Sequence, residues 1–242
     1  MITSIDLSKY SLDNSYKNSL KSSINLDFDF GYFLGCYIGN GCISLQKSGK
    51  ASCIMFANID TGVNSKYTSV LNTKLFNKLT INTYSREHIF NGKSTPWITT
   101  DFSSIPLGTF LVETVGNGSS NKKLPDFTLN TPECFRWGLL SGLLDTDGSV
   151  SNYLRKYKDV SEKFRCNISY ASISQTLITN IKDMLDSLNI KYIREHLSGT
   201  CYILGIKEVS FTYLFNKINL FNTIKLRKVL EAKTMYVSRI CR

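Results

Sequence analysis

The sequence predicts an α+β fold in which one unit, ordered αββαββα, occurs twice and yields two antiparallel sheets related by a pseudo-twofold axis. Three observations predict it. Two apolar, glycine-bearing stretches, "FGYFLGCYIGNGCISL" and "FRWGLLSGLLDTDGSV", superpose so that Asn40-Gly41 falls on Asp147-Gly148. Further on, "FANID" (56–60) is matched by "YASIS" (170–174). "YSREH" (84–88) is then matched by "YIREH" (192–196) at nearly the same offset, and the two histidines of the chain both lie in this element. Duplication explains all three.

The elements follow in order. Residues 1–28 read as a polar extension or arm, 29–122 as the first half and 123–242 as the second. Each half opens with a helix ending at Asn40 or Asp147. Strands rich in alternating or β-branched residues follow, over about 42–48 and 52–59, then 149–157 and 164–172. "NSKYTSVLNTKLFNKL" and "SQTLITNIKDMLDSL" place apolar residues at helical spacing. Two more strands ("TYSREHIF" with "PWITTDF"; "KYIREHL" with "CYILGIK") and a helix ("LGTFLVETVG"; "FTYLFNKINL") complete each unit. "TIKLRKVLEAKTMYVSRI" reads as a terminal basic helix.

Composition sets bounds on function. With 242 residues, 42% of them hydrophobic, the chain can bury a real core. Its 29 Lys+Arg against 19 Asp+Glu give a charge of +10, which points to a polyanionic partner, most simply nucleic acid. Seven cysteines without a C-x-x-C pair, and two histidines, argue against zinc and for reduced thiols inside a cell. The N-terminal stretch has no apolar core, and the longest apolar run, "FGYFLGCYIG", is too short to span a bilayer, so no membrane association is expected.

The two glycine-flanked helices carry the chemistry. Helix 131–147 has Thr131 as N-cap, Pro132 at its first position and Gly148 just past its end. Ser141 and Gly142 in one helix, and Gly35 and Gly39 in the other, allow the two backbones to approach along the axis. Their C-terminal ends then lie side by side. A helix end already carries partial negative charge, so Asp145 and Asp147 there call for a cation. An oxygen-rich, histidine-poor site favours a hard ion such as Mg²⁺.

"LLSGLLDTDG" resembles the LAGLIDADG motif at nearly every position, and "FLGCYIGNG" resembles its first copy in single-chain, two-motif, intein-type homing endonucleases. The resemblance covers about residues 30–235. It implies motif helices at the interface of two half-domains, sheets forming a DNA-binding saddle, and a monomer that cuts double-stranded DNA at a long asymmetric site to leave 3′ overhangs. It also implies metal binding by the last acidic residue of each motif. That role falls on Asp147 and, in the first motif, on Asn40, with Gly39 and Thr146 as adjoining metal contacts. Asp145 is not the equivalent residue, since Ile38 stands at its place in the first motif.

Asn40 is the departure from the pattern. It keeps the shape of aspartate without the charge, which suggests an inactivated or impaired form. The alternatives are an RNA-binding intron maturase on the same fold, or a DNA-binding protein without catalysis. An active-site lysine in each half is also implied: Lys123 in "NKKLPDF" and Lys225 in "FNTIKLRKV", with Lys228 as a substitute. The start at Met and the end "SRICR", without a terminal His-Asn, lead to the expectation of a free-standing intracellular enzyme.

Side chains alternate along a strand, so counting in twos from each motif selects one face. Ser44, Gln46, Ser48 and Lys50 follow Asn40, and Ser151, Tyr153, Arg155 and Tyr157 follow Asp147. Arg86, His88, Arg194 and His196 extend the same surface. These residues suit the reading of a DNA groove, whereas Ile43, Leu45 and Val150 suit the core.

Overall fold

The computed structural model describes residues 1–10, 18–49, 51–90, 93–156 and 162–240. The N-terminal segment contributes β1 (Ser4–Asp6), β2 (Ser19–Leu20) and β3 (Ser23–Asn25). The first repeat is α1 (Phe28–Asn40), β4 (Gly41–Leu45), β5 (Ala51–Asn58), α2 (Thr61–Val70), β6 (Phe76–Lys78), β7 (Asn82–Phe90), β8 (Lys93–Phe102) and α3 (Ile105–Thr114). The second is α4 (Glu133–Thr146), β9 (Gly148–Lys156), β10 (Glu162–Ser172), α5 (Gln175–Ser187), β11 (His196–Ser198), β12 (Cys201–Gly205) and α6 (Phe211–Lys217), followed by α7 (Thr223–Ile240). Two four-stranded antiparallel sheets run β4-β5-β8-β7 and β9-β10-β12-β11, so the topology is duplicated along with the sequence. Among the described residues no helix is long and apolar enough to cross a membrane.

The two repeats are joined through α1 and α4. Asp27 caps α1 by accepting from the Phe30 N–H at 3.0 Å. Small residues then recur every fourth position, so they share one face of each helix. They are Gly31, Gly35 and Gly39 on α1, and Gly138, Gly142 and Thr146 on α4. A Cβ on Gly35 would stand 2.3 Å from the Leu139 carbonyl oxygen, and one on Gly142 2.3 Å from that of Tyr32. At the C-terminal end a Cβ on Gly39 would stand 2.0 Å from Thr146 Oγ1. Glycine weakens a lone helix by about 1 kcal/mol relative to alanine; here it lets two backbones touch.

Polar ties reinforce that contact. The wholly buried Asp145 accepts from Tyr32 Oη at 2.8 Å and from the N–H groups of Phe221 at 2.7 Å and Asn222 at 3.1 Å. Asp60 serves two helices from opposite repeats. Its Oδ1 accepts from Gly62 and Val63 at the start of α2, and its Oδ2 accepts from the N–H and hydroxyl of Thr223 at the start of α7.

Four expectations are corrected. The 1–28 segment is not a free arm: Leu7, Leu20, Ile24 and Leu26 enter the core, and β2 pairs with β6. That pairing ends the helical course after α2, which passes through one π turn (Leu71–Leu75) before Phe76 turns to strand. Thr131 is not the N-cap of α4, because its hydroxyl donates backward to the Thr128 carbonyl and Pro132 takes the cap position without a side-chain bond. Leu45 is half exposed rather than in the core, since the β4–β5 register shifts between Ser44 and Leu45 and the strand ends there.

Asp60→Ala is expected to cost about 2–3 kcal/mol in urea denaturation at neutral pH, from a lost cap and lost charge-assisted hydrogen bonds. Burial alone would raise its carboxyl, but the Thr223 hydroxyl and the Thr223, Val63 and Gly62 N–H groups hold it below the usual carboxylate range. The contribution is therefore present above the unfolded value near about 3.9 and disappears as pH falls through the folded one. The gap between wild type and Asp60→Ala should close in acid. Gly35→Val should cost about 3 kcal/mol or more, because the Leu139 backbone cannot yield.

Candidate active site and nucleic-acid interface

The contact between Gly39 and Thr146 puts Asn40 and Asp147, each one residue further on, at adjacent helix ends. Each end is met by a lysine. Lys122, 4% exposed, donates to the carbonyl oxygens of Tyr37 and Gly41 at the end of α1. Lys225 donates to the carbonyls of Leu144 at 2.8 Å and of Asp145 and Thr146 at 2.9 Å at the end of α4. Cations thereby meet the carbonyl ends of both helices, as the helix dipole favours; the Tyr37 carbonyl accepts from the Gly41 N–H as well.

Electrostatics follow from this packing. Burial pushes the Lys122 ammonium down to about 8, opposed by the nearby Asp147 charge and by Cys42. Burial likewise lowers Lys225, opposed by Asp145, Asp147 and Asp60. The Asp147 carboxyl is raised by its dense surroundings, against the pull of both ammonium groups. Its side chain is nevertheless open to solvent and accepts no hydrogen bond from the described residues, whereas Asp145 is sealed and committed. Burial raises Asp145 to about 6, opposed by the Phe221 N–H, the Tyr32 hydroxyl, the Asn222 N–H and Lys225.

Among the described residues no three His, Cys, Asp or Glu side chains are grouped so as to hold a metal on their own. The donors available at the helix ends are the Asp147 carboxylate and the side-chain oxygen of Asn40. The Thr146 carbonyl already accepts from Lys225, and the Thr146 hydroxyl donates into its own helix at Gly142 and Leu143. Gly39 contributes close packing.

Lys123 requires correction. Its ammonium points outward to Asp126 at 2.9 Å, and its neighbour Lys122 takes the buried place beside Asp147. The segment before α4 is irregular, so nothing in "NKKLPDF" says which of two adjacent lysines turns inward. Lys228 bonds the Val150 carbonyl at 3.0 Å and holds β9.

The sheets present the expected faces in part. In the first, Ser44 lies opposite Cys53 and Arg86 opposite Trp97, both pairs on the face away from buried Ile43, Ile54 and Phe56. Arg86 also lies over the Tyr84 ring at 4.7 Å. Gln46 and Ser48 fall in the exposed turn after β4, not in a strand. His88 keeps the register of that face, opposite Thr95; its side chain, Lys50 and Tyr157 lie outside the described residues.

In the second sheet Ser151, Tyr153 and Arg155 share the outward face, opposite Asn167, Arg165 and Lys163 of β10. Alternation counted from the motif reaches only β9, so the sequence does not single out these three partners on β10. His196 lies opposite Ile203 on that face, but Arg194 precedes β11 in a loop. The strand expected over 191–197 is interrupted, leaving an isolated bridge of Tyr192 to Ile206.

Comparison with known proteins agrees with this geometry. Residues 135–218 match the model of a LAGLIDADG-like domain. The homing endonuclease I-WcaI bound to its DNA recognition sequence superposes at TM-score 0.60 with 13% identity, covering 84% of this chain and 85% of that one. The LAGLIDADG meganuclease I-AabMI bound to uncleaved DNA gives 0.53 and 14%, over 86% and 92%. A variant of I-DmoI with its target DNA in the presence of 2 mM Mn gives 0.50 and 12%, over 82% and 98%. In sequence, the chain is 30% identical over 213 residues to DNA-directed RNA polymerase subunit Rpo1C of Methanocaldococcus jannaschii, 88% of this chain but only 22% of that protein. The chain thus spans about a fifth of the relative's length. Residues 135–218 thus carry a LAGLIDADG-like domain, and the two-repeat fold of the chain is that of the LAGLIDADG endonuclease structures on which it superposes.

Replacing Lys122 by Met should lower stability by about 1–3 kcal/mol, since two carbonyls lose a charged donor. Lys123→Met should stay within about 0.5 kcal/mol, as exposed ion pairs contribute little. Chemical denaturation of the two variants side by side checks which lysine belongs to the site.

Proposed function

We propose that this chain is a site-specific endonuclease of double-stranded DNA, intracellular and monomeric, that hydrolyses phosphodiesters with Mg²⁺ at a long asymmetric site and leaves 3′ overhangs. The observation that carries it is Asp147: an open carboxylate with no partner among the described residues, flanked by buried Lys122 and part-buried Lys225 where the repeats meet, between two sheets with polar outward faces. Fold neighbours bound to DNA, one of them in the presence of Mn, fit this reading.

The available donors are hard oxygens, which suit a divalent ion of the Mg²⁺ class. Asp147 and Asn40 would hold it together with oxygens of the scissile phosphates, since the protein alone supplies too few ligands. When bound, such an ion offsets charge on the phosphate and supplies a water of lowered pKa. Lys122 and Lys225 fix the helix ends that carry these ligands and add positive potential where the phosphates sit. The outward faces bring Arg86, Tyr153, Arg155 and Lys163 to bases and backbone.

Asn40 makes the two halves unequal, and it favours a second reading, an RNA-binding maturase in which acidity at this position is dispensable. Cleavage of duplex DNA with added metal separates the two, as does competition between duplex and structured intron RNA.

Asp147→Asn is expected to retain duplex binding while losing scission by at least about 10³-fold, the scale of removing a main source of transition-state charge stabilisation. Asn40→Asp should raise double-strand cleavage by about 10-fold or more, roughly 1.4 kcal/mol of barrier. Gel assays on a duplex selected by binding test both; no gain in the Asn40→Asp variant rejects the account of the asymmetry. Binding should weaken steeply with salt, by about 0.9 log units per log of salt for each phosphate contacted.

A further inference from the structure

Beside Asp147 lies a cavity of about 380 Å³ lined by Gly39, Ser119, Lys122, Asp147, Tyr170 and Ser172 among others. Three of its groups have unspent hydrogen-bonding capacity. Asp147 accepts nothing from the described residues. Lys122 gives two of its three N–H bonds to Tyr37 and Gly41 and has no further acceptor among the described residues. Tyr170, 5% exposed, buries its hydroxyl with no partner among the described residues. An unpaired buried hydroxyl costs about 1–3 kcal/mol, so its retention calls for a ligand.

Hydrogen-bond counting identifies the ligand. The two uncommitted donors and one uncommitted acceptor match a water molecule, which accepts twice and donates twice. The Tyr170 hydroxyl is sealed from solvent at the back of this cavity, so whatever bridges it to its neighbours must be as small as a water. Burial, and then the Asp147 charge, push the Tyr170 hydroxyl well above its ordinary pKa, so it stays a donor.

The repeat supplies an internal control. Tyr170 is the register partner of Gly148, and Phe56 is the register partner of Gly41, the same place in the first half. Phe56 brings no hydroxyl there. The first half has its own unpartnered tyrosine, Tyr67, but its ring stacks on Phe56 at 4.1 Å and it senses Cys36, Tyr37 and Cys42 rather than a carboxylate.

Resting on the nuclease reading above, we propose that Tyr170 is a positioning residue. Its hydroxyl and the Lys122 ammonium hold a water that donates to Asp147 and fixes that carboxylate for metal binding, in the second half only. With both lone pairs engaged, this water is not the attacking nucleophile; it orients.

The test is Tyr170→Phe, which removes one oxygen and keeps the ring. A high-resolution crystal structure of the free wild-type protein is expected to show a water within hydrogen-bond distance of Tyr170 Oη and Lys122 Nζ, and the variant should lack it. Thermal stability should be unchanged or higher, and duplex binding in EDTA unchanged. Calorimetric calcium affinity of the protein–duplex complex should fall about 10-fold, as for outer partners of metal ligands, and scission should slow similarly in the strand served by Asp147. A dry cavity in wild type, or a variant with unaltered calcium affinity and strand preference, overturns the assignment. A wild-type complex that takes up no calcium and cuts neither strand instead sinks the nuclease reading, and the crystallographic water is judged apart from it.

Discussion

The backbone contact between α1 and α4 is the constraint on which the rest depends. Gly31, Gly35 and Gly39 on one helix, and Gly138 and Gly142 on the other, face each other's carbonyl oxygens or, at the last turn, Thr146. Had either row carried larger side chains, the axes would separate by the width of those side chains, and the two C-terminal ends would part with them. Asp147 and Asn40 stand at adjacent helix ends because glycine lines the seam as far as the Gly39–Thr146 contact. The lysines follow from the same geometry. Two juxtaposed helix ends concentrate carbonyl charge, and burying ammonium groups there is tolerable because several oxygens surround each one.

Asymmetry sits on top of this symmetric frame. The backbones of the two repeats agree to the level of strand register: Gly41 faces Phe56 as Gly148 faces Tyr170. Side chains at equivalent places do not agree. Aspartate opposes asparagine, tyrosine opposes phenylalanine, and the buried Asp145 occupies the place of Ile38. Duplication fixed the scaffold, and later substitution on one chain could load the second half with polar chemistry without disturbing the first.

What could be read from the sequence divides along physical lines. The repeat, the helix ends at Asn40 and Asp147, the small-residue seam and the final helix over 223–240 were legible, because glycine spacing and apolar periodicity are local signals. The choice between Lys122 and Lys123 was not. It depends on how an irregular segment twists between Val115, whose carbonyl bonds the Lys123 N–H, and α4. Thr131 carries the chemistry of a cap but lost the role to a backward bond. Tyr170 gave no signal at all, since an aromatic residue on the inward face of a strand looks like core until its hydroxyl is found without a partner. The polar appearance of residues 1–28 concealed four leucine and isoleucine side chains that complete the core from outside the repeats.

That N-terminal segment also clasps the junction of the two repeats. Residues 3–6 pair locally with 23–26. From that hairpin the Ile2 N–H bonds the Asn130 carbonyl, the Lys21 N–H bonds that of Leu75, and Tyr10 reaches Glu113. One short stretch therefore touches the first repeat at two places and the lead-in to the second at a third, and whatever loosens it is felt in both.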